Sequence, residues 1–161
     1  MAQRILSAVH DWSSVKLALD LSCCGRDILL NAVATQMKKE GSYGCIVGLD
    51  RSKRTTILTL RATKMEGVDE YVTCREGDTW RLPFLDNYFD MVVSSVFVHM
   101  VRREYDARTA EAATKRMRAV AELELKMEDV RVSERVTAFM GSSHIVSFWK
   151  PSQHVHAPPR K

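Results

Sequence analysis

The chain has little of what marks a secreted, membrane-spanning or metal-centred protein. Its four cysteines, Cys23, Cys24, Cys45 and Cys74, make no CxxC pair, so neither a zinc site nor a redox motif is spelled out. Two are adjacent and two lie inside apolar runs, where reduced, buried thiols belong. No apolar run approaches the roughly 20 residues that a membrane-spanning helix needs. The opening residues 1–10 are too short and too mixed for a signal peptide. His10, His99, His144, His154 and His156 show no metal-ligand spacing. There is no internal repeat, and low complexity is confined to a polar tail holding Pro158 and Pro159. The net charge of +4 and pI of about 9.0 come from scattered Lys and Arg. A nucleic-acid binder gathers them on one face with aromatics between. These absences predict a soluble, cytoplasmic protein with neither membrane nor nucleic acid as partner.

What is present has the balance of a globular domain. The chain has 161 residues, 45% of them hydrophobic and 27% charged, enough for one core. We expect a single domain over residues 1–150 and a disordered tail over 151–161. Residues 2–10 form a short helix or lie along a sheet edge. Residues 15–21 are apolar almost throughout, as in a strand buried on both faces. Ile28, Leu29, Ala32, Val33 and Met37 then repeat at helical spacing, and Gly41 stops the helix. Residues 44–49 read as a second buried strand closed by Asp50. Ser52 can cap a helix running through Ile57, Leu58, Leu60 and Met65 to Gly67.

Residues 71–75 and 89–98 read as further strands, separated by a loop at Leu82-Pro83-Phe84, because Pro83 lacks a donor. Residues 106–125 are patterned as a helix whose charges form a solvated face. Residues 129–139 and 144–149 read as two strands joined by a hairpin link, Met140-Gly-Ser-Ser143. Strands alternating with helices at these intervals imply an α/β fold with an open parallel sheet.

Such a sheet gathers its chemistry at the carboxyl ends of its strands. Here Asp20, Asp50 and Asp78 close or follow three of them, and Gly25 lies in the turn after the first. A nucleoside has donors that suit this layout. A carboxylate at a strand end accepts from two ribose hydroxyls, and another takes an exocyclic amine. A glycine turn lets backbone amides come close to the ligand. Arg51 and Thr79, next to Asp50 and Asp78, and Ser94, within the fourth strand, complete the set of candidate cofactor contacts. His99, just past the fourth strand, is a weak candidate general base. Trp80 and Phe84 suit either a base pocket or the core.

A longer pattern sharpens this. Gly77-Asp78-Thr79 is followed by Leu82-Pro83-Phe84-Leu85-Asp86-Asn87-Tyr88-Phe89-Asp90-Met91-Val92. With Asp50 in Val47-Gly48-Leu49-Asp50, it resembles the class I S-adenosylmethionine-dependent methyltransferases, in the branch close to ubiquinone and menaquinone biosynthesis, and methyltransferase-domain proteins of plants. The resemblance implies S-adenosyl-L-methionine as cofactor, a small-molecule acceptor and a Rossmann-like sheet ending in an antiparallel hairpin. It covers about residues 12–121.

Two departures stand out. The family's three-glycine turn is reduced to Ser22-Cys23-Cys24-Gly25-Arg26-Asp27, with Gly25 alone kept. No fifth strand follows the fourth helix, so the chain reads as a shortened member lacking that strand. An open edge there could take a protein partner or a second copy. A catalytically inactive descendant acting by protein interaction is therefore the alternative reading. A nicotinamide-dependent dehydrogenase fits poorly, because the dinucleotide glycine turn is missing.

Overall fold

The computed structural model describes residues 2–21, 28–79, 81–85, 87–94, 128–132, 136–138, 141–143 and 146–149. By contact density the chain divides into two units, Met1–Tyr105 and Asp106–Lys161. The first opens with α1 (Ala2–Leu6) and a short 3-10 turn, Trp12–Ser14. Then come β1 (Leu17–Leu21), α2 (Ile28–Lys39), β2 (Cys45–Asp50) and α3 (Lys53–Met65). A second 3-10 turn, Asp69–Tyr71, leads into β3 (Val72–Glu76), and β4 (Met91–Val93) ends the described part. All four strands are parallel, in the order β3-β2-β1-β4. This is the expected Rossmann-like α/β sheet. Among the described residues no strand pairs with the outer edge of β4.

The register decides which side chains share a face. Ala18 lies beside Ile46 and Met91, Ile46 beside Val72, and Asp20 beside Gly48 and Val93. Because side chains alternate along a strand, these residues point to one side. There Leu29, Leu30, Val33, Ala34 and Met37 of α2 pack on Ala18, Ile46, Val72 and Val93, with Leu6, Trp12, Val15 and Val68 around them. The other side carries Leu19, Val47 and Leu49, packed with Leu17, Leu21, Phe84 and Phe89. A sheet buried on both faces requires the continuous apolar runs from which its strands were read.

Boundaries shift for local reasons. The first strand starts at Leu17 because Asp11 caps a 3-10 turn ahead of it, accepting from the Ser13 amide at 2.9 Å and its hydroxyl at 2.6 Å. Those bonds, the side-chain one first, hold the Asp11 carboxyl below its ordinary value. Whatever the cap contributes is present at neutral pH and fades as pH falls through that lowered value. Gly41 (φ 64°) and Gly67 (φ 66°) close α2 and α3 in the left-handed region.

Two helical stripes differ from expectation. In α2, Leu30 and Ala34 are buried while Ile28 is exposed. In α3 the pattern is inverted. Thr59 and Thr63 are the buried residues, whereas Ile57, Leu58, Leu60 and Met65 face outward. The aliphatic residues fix the helix but not its rotation. The helix lies against strands β2 and β3, and the Thr63 hydroxyl donates to the Leu60 carbonyl at 3.0 Å.

The second unit holds β5 (Glu128–Val132), β6 (Val136–Ala138), β7 (Gly141–Ser143) and β8 (Val146–Trp149). β5 pairs antiparallel with β8 and β6 with β7. The expected terminal hairpin is thus present, with its turn moved. Residues 141–143, expected in the link, belong to a strand in which Gly141 pairs with Ala138. The expected single strand over residues 129–139 is two strands. The helix expected over residues 106–125, the end of the fourth strand over 95–98 and the tail over 151–161 lie outside the described residues.

One long-range contact ties the sheet together. The Asp90 carboxylate, just before β4, accepts from the backbone amides of Lys16 (3.0 Å) and Leu17 (2.9 Å), at the start of β1. The Asp90 amide donates back to the Leu17 carbonyl at 2.9 Å. Asp90→Ala is expected to destabilise the fold by about 1–3 kcal/mol. Asp69→Ala, at an exposed turn, is expected to stay within about 0.5 kcal/mol. Urea unfolding of both variants checks this.

Candidate functional site

Asp20, Asp50, Asp78 and Ser94 all lie at the carboxyl ends of adjacent strands, which places them along one edge of the sheet. Asp20 is the penultimate residue of β1 and is 2% exposed. Asp50 ends β2, two residues beyond Gly48, the register partner of Asp20. By strand alternation both carboxylates therefore face the same side. Asp50 is half-buried, and its Oδ1 accepts from the Ser52 amide at 2.7 Å. Ser52 in turn caps α3, its hydroxyl accepting from the Thr55 amide at 3.3 Å. The acid is thus held by the turn into the next helix, as a strand–turn–helix connection demands.

Asp78 lies two residues past β3. The Gly77 amide donates to the Asp50 carbonyl at 2.9 Å, so the ends of β2 and β3 are stitched together. Beyond it, Asp78 and Arg81 form an isolated bridge closed by an Arg81 amide bond of 3.0 Å. Arg51, directly after Asp50, reaches across to Asp78. Its Nε donates to Oδ1 at 3.0 Å, and Nη2 bonds the same oxygen. The pair is open to solvent, with side chains 61% and 44% exposed, which limits it to about 0–1 kcal/mol. Thr79 follows Asp78 and is half-buried. Ser94, past β4, donates to the Leu21 carbonyl at the end of β1 over 3.4 Å. Gly25 and His99 lie outside the described residues, as do Trp80 and the whole turn over residues 22–27.

The Leu82-Pro83-Phe84 block has a structural task. Phe84 and Phe89 meet edge to face at 4.7 Å, Tyr88 and Phe89 at 5.1 Å, and Phe84 stacks on Tyr88 at 5.9 Å. The Arg75 guanidinium sits 5.4 Å from the Phe84 ring centre. Phe84 and Phe89 pack on Leu19, Val47 and Leu49, so Phe84 belongs to the core beneath the site. Gly77 allows this loop to return. A Cβ there would lie 2.8 Å from Leu49 Cδ1 and 3.3 Å from the Pro83 ring.

Three features escaped the sequence reading. The Asp90 clamp needs a partner far along the chain. The Gly77 contact needs the loop's path. Asn31 falls within the apolar stripe of α2, is 5% exposed and leaves its Oδ1 unpaired. Neither Cys45 nor Cys74 is joined in a disulfide, and burial pushes the Cys45 thiol up. No group of metal-binding side chains occurs among the described residues, and no described helix is long and apolar enough to cross a membrane.

A methyltransferase-domain family model matches residues 19–129, more than half of the chain. The chain belongs to that family. The match spans the carboxyl edge just described, from Leu19 through Ser94. A demethylmenaquinone methyltransferase of Lactobacillus johnsonii is 33% identical over 75 residues, covering 47% of this chain and 29% of that protein. This chain therefore matches under a third of that relative's length.

Solved structures repeat the fold. A protein of Methanococcus maripaludis described as an S-adenosyl-L-methionine-dependent methyltransferase superposes with a TM-score of 0.63 at 17% identity. It covers 96% of this chain and 85% of its own. An S-adenosylmethionine-dependent methyltransferase of Aquifex aeolicus gives 0.55 at 11% identity, with 91% and 88% covered. Family and fold agree with S-adenosyl-L-methionine as the cofactor.

Gly77→Ala is expected to destabilise the methyltransferase-domain fold by about 1–3 kcal/mol, because the leucine and proline behind it must shift. Arg51→Ala is expected to cost under about 1 kcal/mol. Thermal melts of the two variants, compared side by side, test both the crowded glycine and the solvated ion pair.

Proposed function

We propose that the chain binds S-adenosyl-L-methionine along the carboxyl edge of its sheet and transfers the methyl group to a small-molecule acceptor. The observation that carries this reading is the alignment of Asp20, Asp50 and Asp78 at three adjacent strand ends, with Asp50 oriented by the Ser52 amide. In it, Asp50 accepts from the ribose hydroxyls. One of its oxygens already takes an amide, and the remaining lone pairs on both suit two further donors. Asp78 accepts from the adenine amine and shares its charge with Arg51. Asp20, low and buried on β1, holds the amides of the following turn or the ligand's ammonium. Gly25 gives that turn its close approach, while Arg51, Thr79 and Ser94 border the ligand. His99 is the candidate base beside the acceptor.

The cofactor supplies an electrophilic methyl on a sulfonium. Bound along that edge, it would offer this methyl to the acceptor's lone pair, with the carbon–sulfur electron pair leaving on sulfur. The protein's share is to hold both reactants in line and to exclude water. A positioning mechanism of this kind needs few obligatory side chains, which accounts for the absence of a sharp catalytic motif.

Calorimetric titration with S-adenosylhomocysteine tests the reading. Binding to the folded chain is expected, and Asp50→Ala is expected to weaken it roughly tenfold to a hundredfold by removing hydrogen bonds to a charged acceptor. No binding to a chain shown to be folded, or equal affinity in Asp50→Ala, would overturn the assignment.

A further inference from the structure

The inverted helix α3 displays a surface that the fold does not need. Its inner side is made by Thr59 and Thr63, with Thr55, Thr56 and Ala62 half-buried beside them. Its outer side carries Lys53, Arg54, Arg61 and Lys64, all exposed, together with Ile57 (44% exposed), Leu58 (46%), Leu60 (41%) and Met65 (89%). No acid occurs within the helix, and none of its four cations is ion-paired among the described residues.

Two features of this arrangement run against stability. Lys53 and Arg54 occupy the first turn, where the helix dipole disfavours positive charge. Four large aliphatic side chains face water while threonines fill the interior, although either rotation of the helix was open to a different sequence. Departures of this kind, concentrated on one outer face, mark a surface kept for contact.

At 100° per residue, Ile57 falls between Lys64 and Arg61 on the outer crest, while Leu58 and Met65 flank one side and Leu60 the other. The aliphatic residues are thus interspersed with cations and form no continuous stripe. A partner helix or strand requires such a stripe for its anchors. A fluid anionic surface does not. Lysine and arginine reach its headgroups while isolated aliphatic side chains insert between them. Acids lie at both ends of α3, Asp50 and Asp78 at its amino end and Glu66, Asp69 and Glu70 past its carboxyl end, so the helix would lie along the surface on its outer face.

Against the expectation from composition of no membrane partner, we propose that the outer face of α3 docks the protein reversibly on an anionic lipid surface, through Lys53, Arg54, Arg61 and Lys64 with Ile57 and Met65 inserting. Neither Arg61 nor Lys64 touches the carboxyl edge, and both are exposed, so their replacement spares the fold.

Co-sedimentation of the full chain with vesicles tests it. Vesicles of phosphatidylcholine with phosphatidylserine are expected to carry the protein down, and phosphatidylcholine alone is not. Added salt is expected to release it. The double variant R61E/K64E is expected to lower the partition coefficient by on the order of thirtyfold or more, taking the usual attraction per cation near such a surface. The double variant I57S/M65S, confirmed as folded by circular dichroism, is expected to weaken binding at the same charge. Absence of binding, equal binding to neutral vesicles, or full binding by R61E/K64E overturns the proposal. So does binding that an acidic amphipathic peptide shares while vesicles do not, because the face would then serve a protein.

Discussion

The Asp90 carboxylate, bonded to the amides of Lys16 and Leu17, is the constraint on which the rest of the sheet depends. β1 is the central strand, paired on one side with β2 and on the other with β4. β4 arrives after a loop that carries no helix of its own, and its described length is short. A short strand has few ladder bonds with which to choose a register. The Asp90 clamp chooses it, setting Ala18 beside Met91 and Asp20 beside Val93. A slip of one residue would turn every side chain of β4 to the opposite face, taking Val93 out of the main core. The same register brings Ser94 to the Leu21 carbonyl and so fixes the border of the carboxyl edge.

From that anchor the site assembles by short connections. The Gly77 amide on the Asp50 carbonyl joins the ends of β2 and β3, the Ser52 amide orients the Asp50 carboxylate, and Arg51 spans to Asp78. Each bond is modest, and together they hold the Asp50 and Asp78 carboxylates along the edge that also carries Asp20. Such an edge suits a ligand rich in hydroxyl and amine donors. The aromatic residues of the loop after Gly77 pack on the opposite face of the sheet, against Leu19, Val47 and Leu49, and Gly77 gives that loop room to return.

The fold was legible because it is written in continuous apolar runs with an acid or glycine at the end of each. That signal gave parallel strands over residues 15–21, 44–49 and 71–75, observed as Leu17–Leu21, Cys45–Asp50 and Val72–Glu76, and the helices between them. The terminal hairpin was legible too, though its turn was misplaced, since serines and a glycine serve equally in a link or in the strand Gly141–Ser143. The rotation of α3 was not legible. Threonine and leucine both fit a half-buried helix, and only the packing against β2 and β3 chooses between them.

In the candidate site, the positions of Asp20, Asp50 and Asp78 followed from strand ends alone, whereas Ser94 was expected inside a fourth strand over residues 89–98 and follows β4, described as Met91–Val93. The Arg51–Asp78 pair and the Asp90 clamp did not, because each joins residues far apart in sequence. The motif resemblance pointed to Asp90 without a reason. The structure supplies one, in two backbone amides.

Hydrogen exchange with and without S-adenosylhomocysteine is the direct test of the carboxyl edge as the cofactor's seat. Protection confined to the peptides spanning residues 49–52 and 77–81, with the start of β1 at residues 16–17 unchanged, is the expected result. Exchange unaltered at those peptides under saturating ligand, or protection centred elsewhere on the sheet, would contradict it.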